Sequence, residues 1–246
     1  MARIKRVIGI SVIVPCYNEM VQLPKTIDLL TTFLEEHFVE FELIIVNDGS
    51  TDQTEKLMES ISTIDNNRNA LNYISYDINK GKGYAVRCGL YQAKYDLKMI
   101  LDCDLSVEAN NILKTLDMNK QNIACHRPFA VIGQRIQKIK QPKHRIFLGR
   151  CFRQLVKSFI GINFRDSQAP FKILYCVNQL CITELSINGF AYDVELIKML
   201  KEKGIFIQLQ KVDYFNDDNS KVTFLKTVRM GFDLIKISFM NFKKKN

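Results

Sequence analysis

Lys98 to Glu108 reads K-M-I-L-D-C-D-L-S-V-E, an apolar run that stops at two carboxylates one residue apart and gives way to a polar, helix-starting segment. This is the pattern of a buried strand delivering acids to the edge of a sheet. On an extended backbone Asp102 and Asp104 fall on the same side, because side chains alternate with a period of two. Two such oxygens can share one hard divalent cation, Mg2+ or Mn2+, with water and the phosphates of a nucleotide completing its shell. Helix capping by Asp104 or Ser106 accounts for the same residues without any ligand.

Working outward, the same grammar recurs. Val7 to Val14 is rich in β-branched residues and predicts a strand that stops at Pro15, followed by the loop Pro15-Cys16-Tyr17-Asn18-Glu19. A helix is expected from Pro24 to about His37, with Ile27, Leu30, Thr31 and Leu34 at helical spacing. Phe41–Val46 predicts a second strand, ending in the turn-rich Asn47–Asp52, and a helix carries Leu57, Met58 and Ile61. Leu71–Tyr76, the loop Asn79–Gly83, a helix over Tyr84–Ala93 and a strand over Leu97–Leu101 complete four strand-loop-helix units. Such units build a doubly wound, mostly parallel sheet, in which ligands bind beyond the carboxyl ends of the strands. The polar clusters all fall there, so Tyr17, Glu19, Asp48, Lys82 and the aspartate pair form one candidate nucleotide site.

The loop Gly81-Lys82-Gly83 is neither a P-loop nor a dinucleotide fingerprint. It lacks the Ser/Thr after lysine, and Val86 stands where a third glycine belongs. Its glycines are expected to allow a ligand close to the backbone.

Composition narrows the rest. A chain of 246 residues with 47% hydrophobic and 25% charged residues suits one α/β domain with an appendage, not a disordered chain. Its seven cysteines are scattered without a C-x-x-C pair, and His37, His126 and His144 begin no metal-ligand pattern, which argues against a disulfide framework and a zinc site. The net charge is +9, and no acidic residue interrupts the chain between Asp117 and Asp166, where ten or so arginines and lysines run from Arg127 to Arg165. Such a field attracts polyanions. No transmembrane span is visible.

Taken together, S-V-I-V-P-C-Y-N-E (Ser11 to Glu19), I-V-N-D-G-S-T-D (Ile45 to Asp52), N-K-G-K-G-Y-A (Asn79 to Ala85) and D-C-D (Asp102 to Asp104) resemble the ordered motifs of inverting family 2 glycosyltransferases with the GT-A fold. V-I-G-Q-R (Val131 to Arg135), R-D-S-Q-A-P-F-K (Arg165 to Lys172) and F-A-Y-D-V-E-L-I (Phe190 to Ile197) are similar to the polyprenyl-phosphate sugar synthases, the dolichyl-phosphate glucosyltransferase branch above all. The resemblance implies a Rossmann-like central sheet flanked by helices over residues 1–221, with a basic amphipathic helix in residues 222–246. It implies that Pro15, Tyr17, Glu19, Val46 and Asp48 hold the base and ribose of a sugar nucleotide, with Lys82 beside them. Asp102, the backbone near Cys103, and Asp104 would bind metal and diphosphate. Arg135 and Lys221 would face the donor phosphates, Arg145 and Arg165 the acceptor phosphate, and Asp193 stands where related processive enzymes carry a catalytic aspartate. Phe215 replaces an arginine of the mannosyltransferases, which favours UDP-glucose over GDP-mannose as donor.

The implied reaction is hexose transfer to a polyprenyl phosphate at the cytoplasmic face of a bacterial inner membrane or the endoplasmic reticulum, with peripheral membrane contact. A saccharide or protein hydroxyl acceptor is the alternative, and there Asp193 would act as base. Helix capping is the structural reading of Asp193. A sugar nucleotidyltransferase is disfavoured by the missing G-x-G-T-R-L-type loop, and nucleic-acid binding by the absence of a reading motif. In the tail, Phe224, Leu225, Val228, Phe232, Ile235 and Phe239 follow helical spacing among lysines and arginines. Both an interfacial helix and a helix packed on the core have this pattern.

Overall fold

The computed structural model describes residues 8–64, 70–104, 107–135, 154, 156–157, 171–213 and 224–242. Strands β1 (Ile10–Cys16), β2 (Phe41–Asn47), β3 (Leu71–Ser75) and β4 (Leu97–Leu101) alternate with helices α1 (Leu23–His37), α2 (Thr54–Ile64) and α3 (Lys82–Gln92). Then follow α4 (Asn110–Met118), α5 (Lys120–Ala124), β5 (Phe129–Arg135), β6 (Phe171–Tyr175), α6 (Gln179–Thr183), α7 (Tyr192–Glu202), β7 (Phe206–Val212) and α8 (Phe224–Phe239). One seven-stranded sheet results, in the order β3-β2-β1-β4-β6-β5-β7. Strands β1 to β4 are mutually parallel where they pair, as the sequence predicts. Strand β6 runs antiparallel to both neighbours, β4 and β5.

Side-chain alternation sends the strand residues into two cores. Val12, Val14, Leu43, Ile45, Met99 and Ile173 pack with Leu30 and Leu34 of α1, Met58 of α2 and Ile112 and Leu116 of α4. Ile13, Ile44, Val46, Ile100 and Leu174 pack on the other face with α3, α6, α7 and α8. Both faces are therefore covered, which is why the central strands read as continuous apolar runs.

Most boundaries shift by a residue or so, and two bear on the site. Strand β1 does not stop at Pro15 but pairs through Pro15↔Val46 and Cys16↔Asn47. The Cys16 carbonyl accepts Asp48 N–H on the β2 side, so the proline's missing donor faces β4, whose ladder with β1 has already ended at Ile13↔Ile100. Helix α3 begins at Lys82 rather than Tyr84.

Helix α8 joins the main core through Met230, Leu234 and Ile237. Its C-terminal end is fastened by α7: buried Lys198 donates from Nζ to the carbonyls of Ile237, Ser238 and Met240, and Glu202 accepts Phe242 N–H at 2.7 Å. A cation on the last carbonyls complements the helix dipole. Among the described residues no helix is long and apolar enough to cross a membrane.

Candidate active site

At the carboxyl end of the sheet, two loops are knitted by hydrogen bonds. Asn18, in a left-handed conformation at φ 54°, accepts the Thr51 N–H at 2.8 Å and the Asp52 N–H on Oδ1, while its own N–H donates to Ser50 Oγ. Glu19 N–H donates to Thr54 Oγ1, and the Glu19 carbonyl starts α1 by accepting from Gln22 and Leu23. Tyr17 and Glu19 are half-buried here. Pro15 and Val46 lie below them within the ladder. The Val46 side chain is fully enclosed beside the core.

Asp48 anchors the next loop. Its carboxylate accepts from Tyr76 Oη at 2.8 Å, Asn79 Nδ2 at 3.0 Å, Lys80 N–H at 2.9 Å and Gly81 N–H at 3.0 Å. The chain's own donors thus occupy both oxygens, and the 76–81 turn is fixed as a result.

The glycines of that turn serve a purpose other than the expected one. At φ 104°, Gly81 is in backbone territory that favours glycine. A Cβ there would press on the Asn188 carbonyl, and one at Gly83 would overlap Ile187 O and Tyr192 Cβ. The close approach is thus made to the chain itself, with Gly83 N–H donating to Asn188 O at 2.7 Å. Two side chains unremarked in the sequence hold this 186–188 segment. Fully buried Glu195 accepts Ser186 N–H and Ile187 N–H at 2.8 and 2.9 Å, and Arg87 donates to Ile187 O and Asn188 Oδ1.

This junction brings α3 and the start of α7 to the aspartate pair. The β4 ladder ends at Leu101, so Asp104 lies in a turn and not on extended backbone, which corrects the strand-based premise. Alternation nevertheless persists to Cys103, whose side chain packs toward α1 while Asp102 turns to the α3 layer. Lys82 Nζ stands 2.6 Å from Asp102 Oδ1, both side chains being about three-quarters enclosed. Burial opposes the Lys82 charge, but Asp102, Asp193 and the exposed Asp104 outweigh it and hold its pKa above the ordinary lysine value. Neither aspartate caps α4, whose N-cap is Ala109.

Asp193 is equally removed from a capping role. It lies in the first turn of α7, behind Ala191 at the N-cap, with a side-chain exposure of 5%. Lys172 Nζ, on β6 and 1% exposed, is 2.8 Å from its Oδ1, a buried ion pair. Burial pushes the Asp193 pKa up, against the pull of Lys172 and Lys82. Tyr192 is buried beside it, its Oη without a hydrogen-bond partner among the described residues.

Arg135 ends β5 opposite Val212, and its side chain lies outside the described residues, as do Arg145, Arg165 and Lys221. Asp102, Asp104, Lys82 and Asp193 come together; Tyr17, Glu19 and Asp48 line the adjoining loops. Among the described residues no group of three or more His, Cys, Asp or Glu is arranged to hold a metal ion by itself. A cation here would therefore take two carboxylates from the protein and the rest of its shell from elsewhere. The hard oxygen donors at an open strand end fit Mg2+ or Mn2+, and the ammonium of Lys82 already rests against one of them.

The family model described as "Glycosyl transferase family 2" matches residues 11–177, a span that includes the carboxylate pair at the end of β4. The chain belongs to that family and is a glycosyltransferase. It is 28% identical to the dolichyl-phosphate beta-glucosyltransferase of Dictyostelium discoideum over 94% of this chain and 74% of the relative. To the enzyme of the same name from Mus musculus it is 30% identical, over 92% of this chain and 74% of the relative. The chain thus spans about three-quarters of these relatives' length. Its fold is shared with glucosyl-3-phosphoglycerate synthase from Mycobacterium tuberculosis, solved with Mn2+, UDP-glucose and phosphoglyceric acid, at a TM-score of 0.63 and 16% identity over 94% of this chain and 79% of that one.

Proposed function

We propose that the chain transfers glucose from UDP-glucose to a polyprenyl phosphate, with inversion, at the cytoplasmic face of a membrane. The observation that carries this reading is the Asp102–Asp104 pair at the end of β4 with Lys82 lodged against it. The names of its dolichyl-phosphate relatives give the acceptor class, and the fold neighbour's Mn2+ and UDP-glucose the donor chemistry.

In this proposal Asp102 and Asp104 hold Mg2+ or Mn2+, which neutralises charge on the departing diphosphate. Lys82, held beside Asp102, supplies a fixed positive charge to the donor phosphates where negative charge grows. Arg135 and Lys221 act on the same phosphates. The half-buried Tyr17 and Glu19, with the turn that Asp48 organises, form the nucleoside wall, and Arg145 and Arg165 bind the acceptor phosphate.

An acceptor phosphate monoester, with a second pKa of about 6, is largely ionised at neutral pH and needs no general base. This agrees with an Asp193 that is closed off from solvent and paired to Lys172, poorly situated to take a proton from an incoming hydroxyl. Its proposed role is to hold Lys82 electrostatically, and the phosphate acceptor is favoured over a hydroxyl one.

Membrane contact is assigned to α8. Phe232, Ile235 and Phe239 are 68%, 49% and 85% exposed, on the side opposite Met230, Leu234 and Ile237, and exposed Arg229 and Lys236 flank them. Apolar side chains bordered by cations suit an anionic lipid surface.

The test combines purified protein, Mn2+ or Mg2+, UDP-glucose and a short polyprenyl phosphate in anionic vesicles. A glucosylated lipid is expected, with less protein on the vesicles and less product when Phe232 and Phe239 are replaced by serine. No lipid-linked product with any common nucleotide sugar overturns the reading.

A further inference from the structure

Lys172 has no part in the transfer as described, yet it is one of the largest fully buried side chains of the protein. Its strand neighbours Phe171 and Ile173 face the α1 layer, so Lys172 points into the α3 and α7 layer. Because β6 is antiparallel to β4, its beginning lies at the carboxyl end of β4, where Phe171 pairs with Leu101 and Lys172 with Ile100. A parallel β6 would have carried this lysine to the far edge of the sheet.

From there a line of alternating charge leads outward. Lys172 Nζ meets Asp193 Oδ1 at 2.8 Å and lies 5.6 Å from the Tyr192 ring centre. Asp193 in turn acts on Lys82, whose Nζ sits 2.6 Å from Asp102 Oδ1. The innermost pair is sealed in the core and the outermost opens to the site.

We propose that Lys172 is a positioning residue for glycosyl transfer: its ammonium fixes the Asp193 carboxylate, and that carboxylate fixes Lys82 beside Asp102. The kinetic part of this claim rests on the transfer function proposed above. Deep burial favours an apolar pair over an ionic one wherever only stability is at stake, since removing two ions from water costs more than their attraction returns in many cores. An ammonium prearranged for the diphosphate, by contrast, needs no reorganisation during the reaction. Without Lys172 the carboxylate loses its fixed partner, and Lys82 loses the anion that holds it from behind.

The experiment compares Lys172→Met, Lys172→Arg and Asp193→Asn, with Lys172→Gln in reserve should the methionine variant not fold. Circular dichroism establishes the fold, lipid-product assays give kcat and the donor KM, and crystal structures give the Lys82–Asp102 distance. Misplacing a catalytic group by about 1 Å costs roughly 10²-fold, so Lys172→Met is expected to lower kcat about 30-fold or more while the donor KM stays within about threefold. Its Lys82 Nζ should leave Asp102, and Lys172→Arg, which keeps the charge, should recover much of the lost kcat. A folded Lys172→Met protein with kcat within about twofold of wild type overturns the proposal, as does an unmoved Lys82, for then Lys172 is a core cation only. Should the wild type transfer nothing, the transfer reading fails, while the Lys82–Asp102 distance in the variant still decides whether Lys172 positions it.

Discussion

The two walls of the candidate site are built by opposite means. On the β1 and β2 side, part-exposed loops are laced by neutral hydrogen bonds around Asn18, Ser50, Thr51 and Asp52. On the β6 and α7 side, the buried ion pair of Lys172 and Asp193 stands behind the part-exposed pair that Lys82 of α3 makes with Asp102 at the end of β4. Loop hydrogen bonds exchanged with water are individually worth about 1 kcal/mol and can adjust to a ligand. Breaking a buried ion pair costs about 3–5 kcal/mol, because the partner left behind cannot be hydrated. The first wall suits a nucleoside that must enter and leave; the second suits charges that must not move.

Substitutions can break this contrast, the largest expected effect first. Asp102→Asn removes the carboxylate shared by Lys82 and the proposed cation. Transfer is expected to fall about 10²-fold or more with the melting temperature nearly unchanged, since losing one stabilising contact to developing charge has that magnitude. Steady-state kinetics beside a thermal melt measures both. Gly83→Ala strikes the seam between the walls, where a Cβ would overlap Ile187 O and Tyr192 Cβ. Forcing it in should cost about 1–3 kcal/mol, read as a lower denaturation midpoint at constant slope, with activity falling as Lys82 shifts. Asn18→Ala tests the laced wall. Losing the left-handed preference and its hydrogen bonds should cost about 1–2 kcal/mol and raise the donor KM severalfold, leaving kcat close to wild type. A kcat effect from Asn18→Ala as large as that from Asp102→Asn would erase the distinction between the walls.

The contrast also explains what the sequence could and could not disclose. The laced wall is local: each strand, its turn and the following helix are consecutive, so apolar periodicity and turn residues located β2 and β4 almost to the residue. The charged wall is not local. Lys172 meets Asp193 only because β6 reverses direction, and no pattern within Phe171–Tyr175 announces a direction. Glu195 and Arg87 acquire meaning only once Gly81 and Gly83 have drawn the 187–189 backbone against α3. The lone charge inside an apolar strand, Lys172 in F-K-I-L-Y, was the available hint, since such residues are rarely enclosed without a partner. The tail helix packs one apolar face on the core, as one of its two readings expects, and leaves Phe232, Ile235 and Phe239 exposed on the other.

Ladders on both sides hold β6 in register, to β4 through Lys172↔Ile100 and to β5 through Lys172↔Ile132. Either ladder alone fixes the lysine's height in the sheet, and the two agree. The ion pair it carries is thereby tied to the interior of the sheet and not to a loop, so its dimensions follow the backbone ladder.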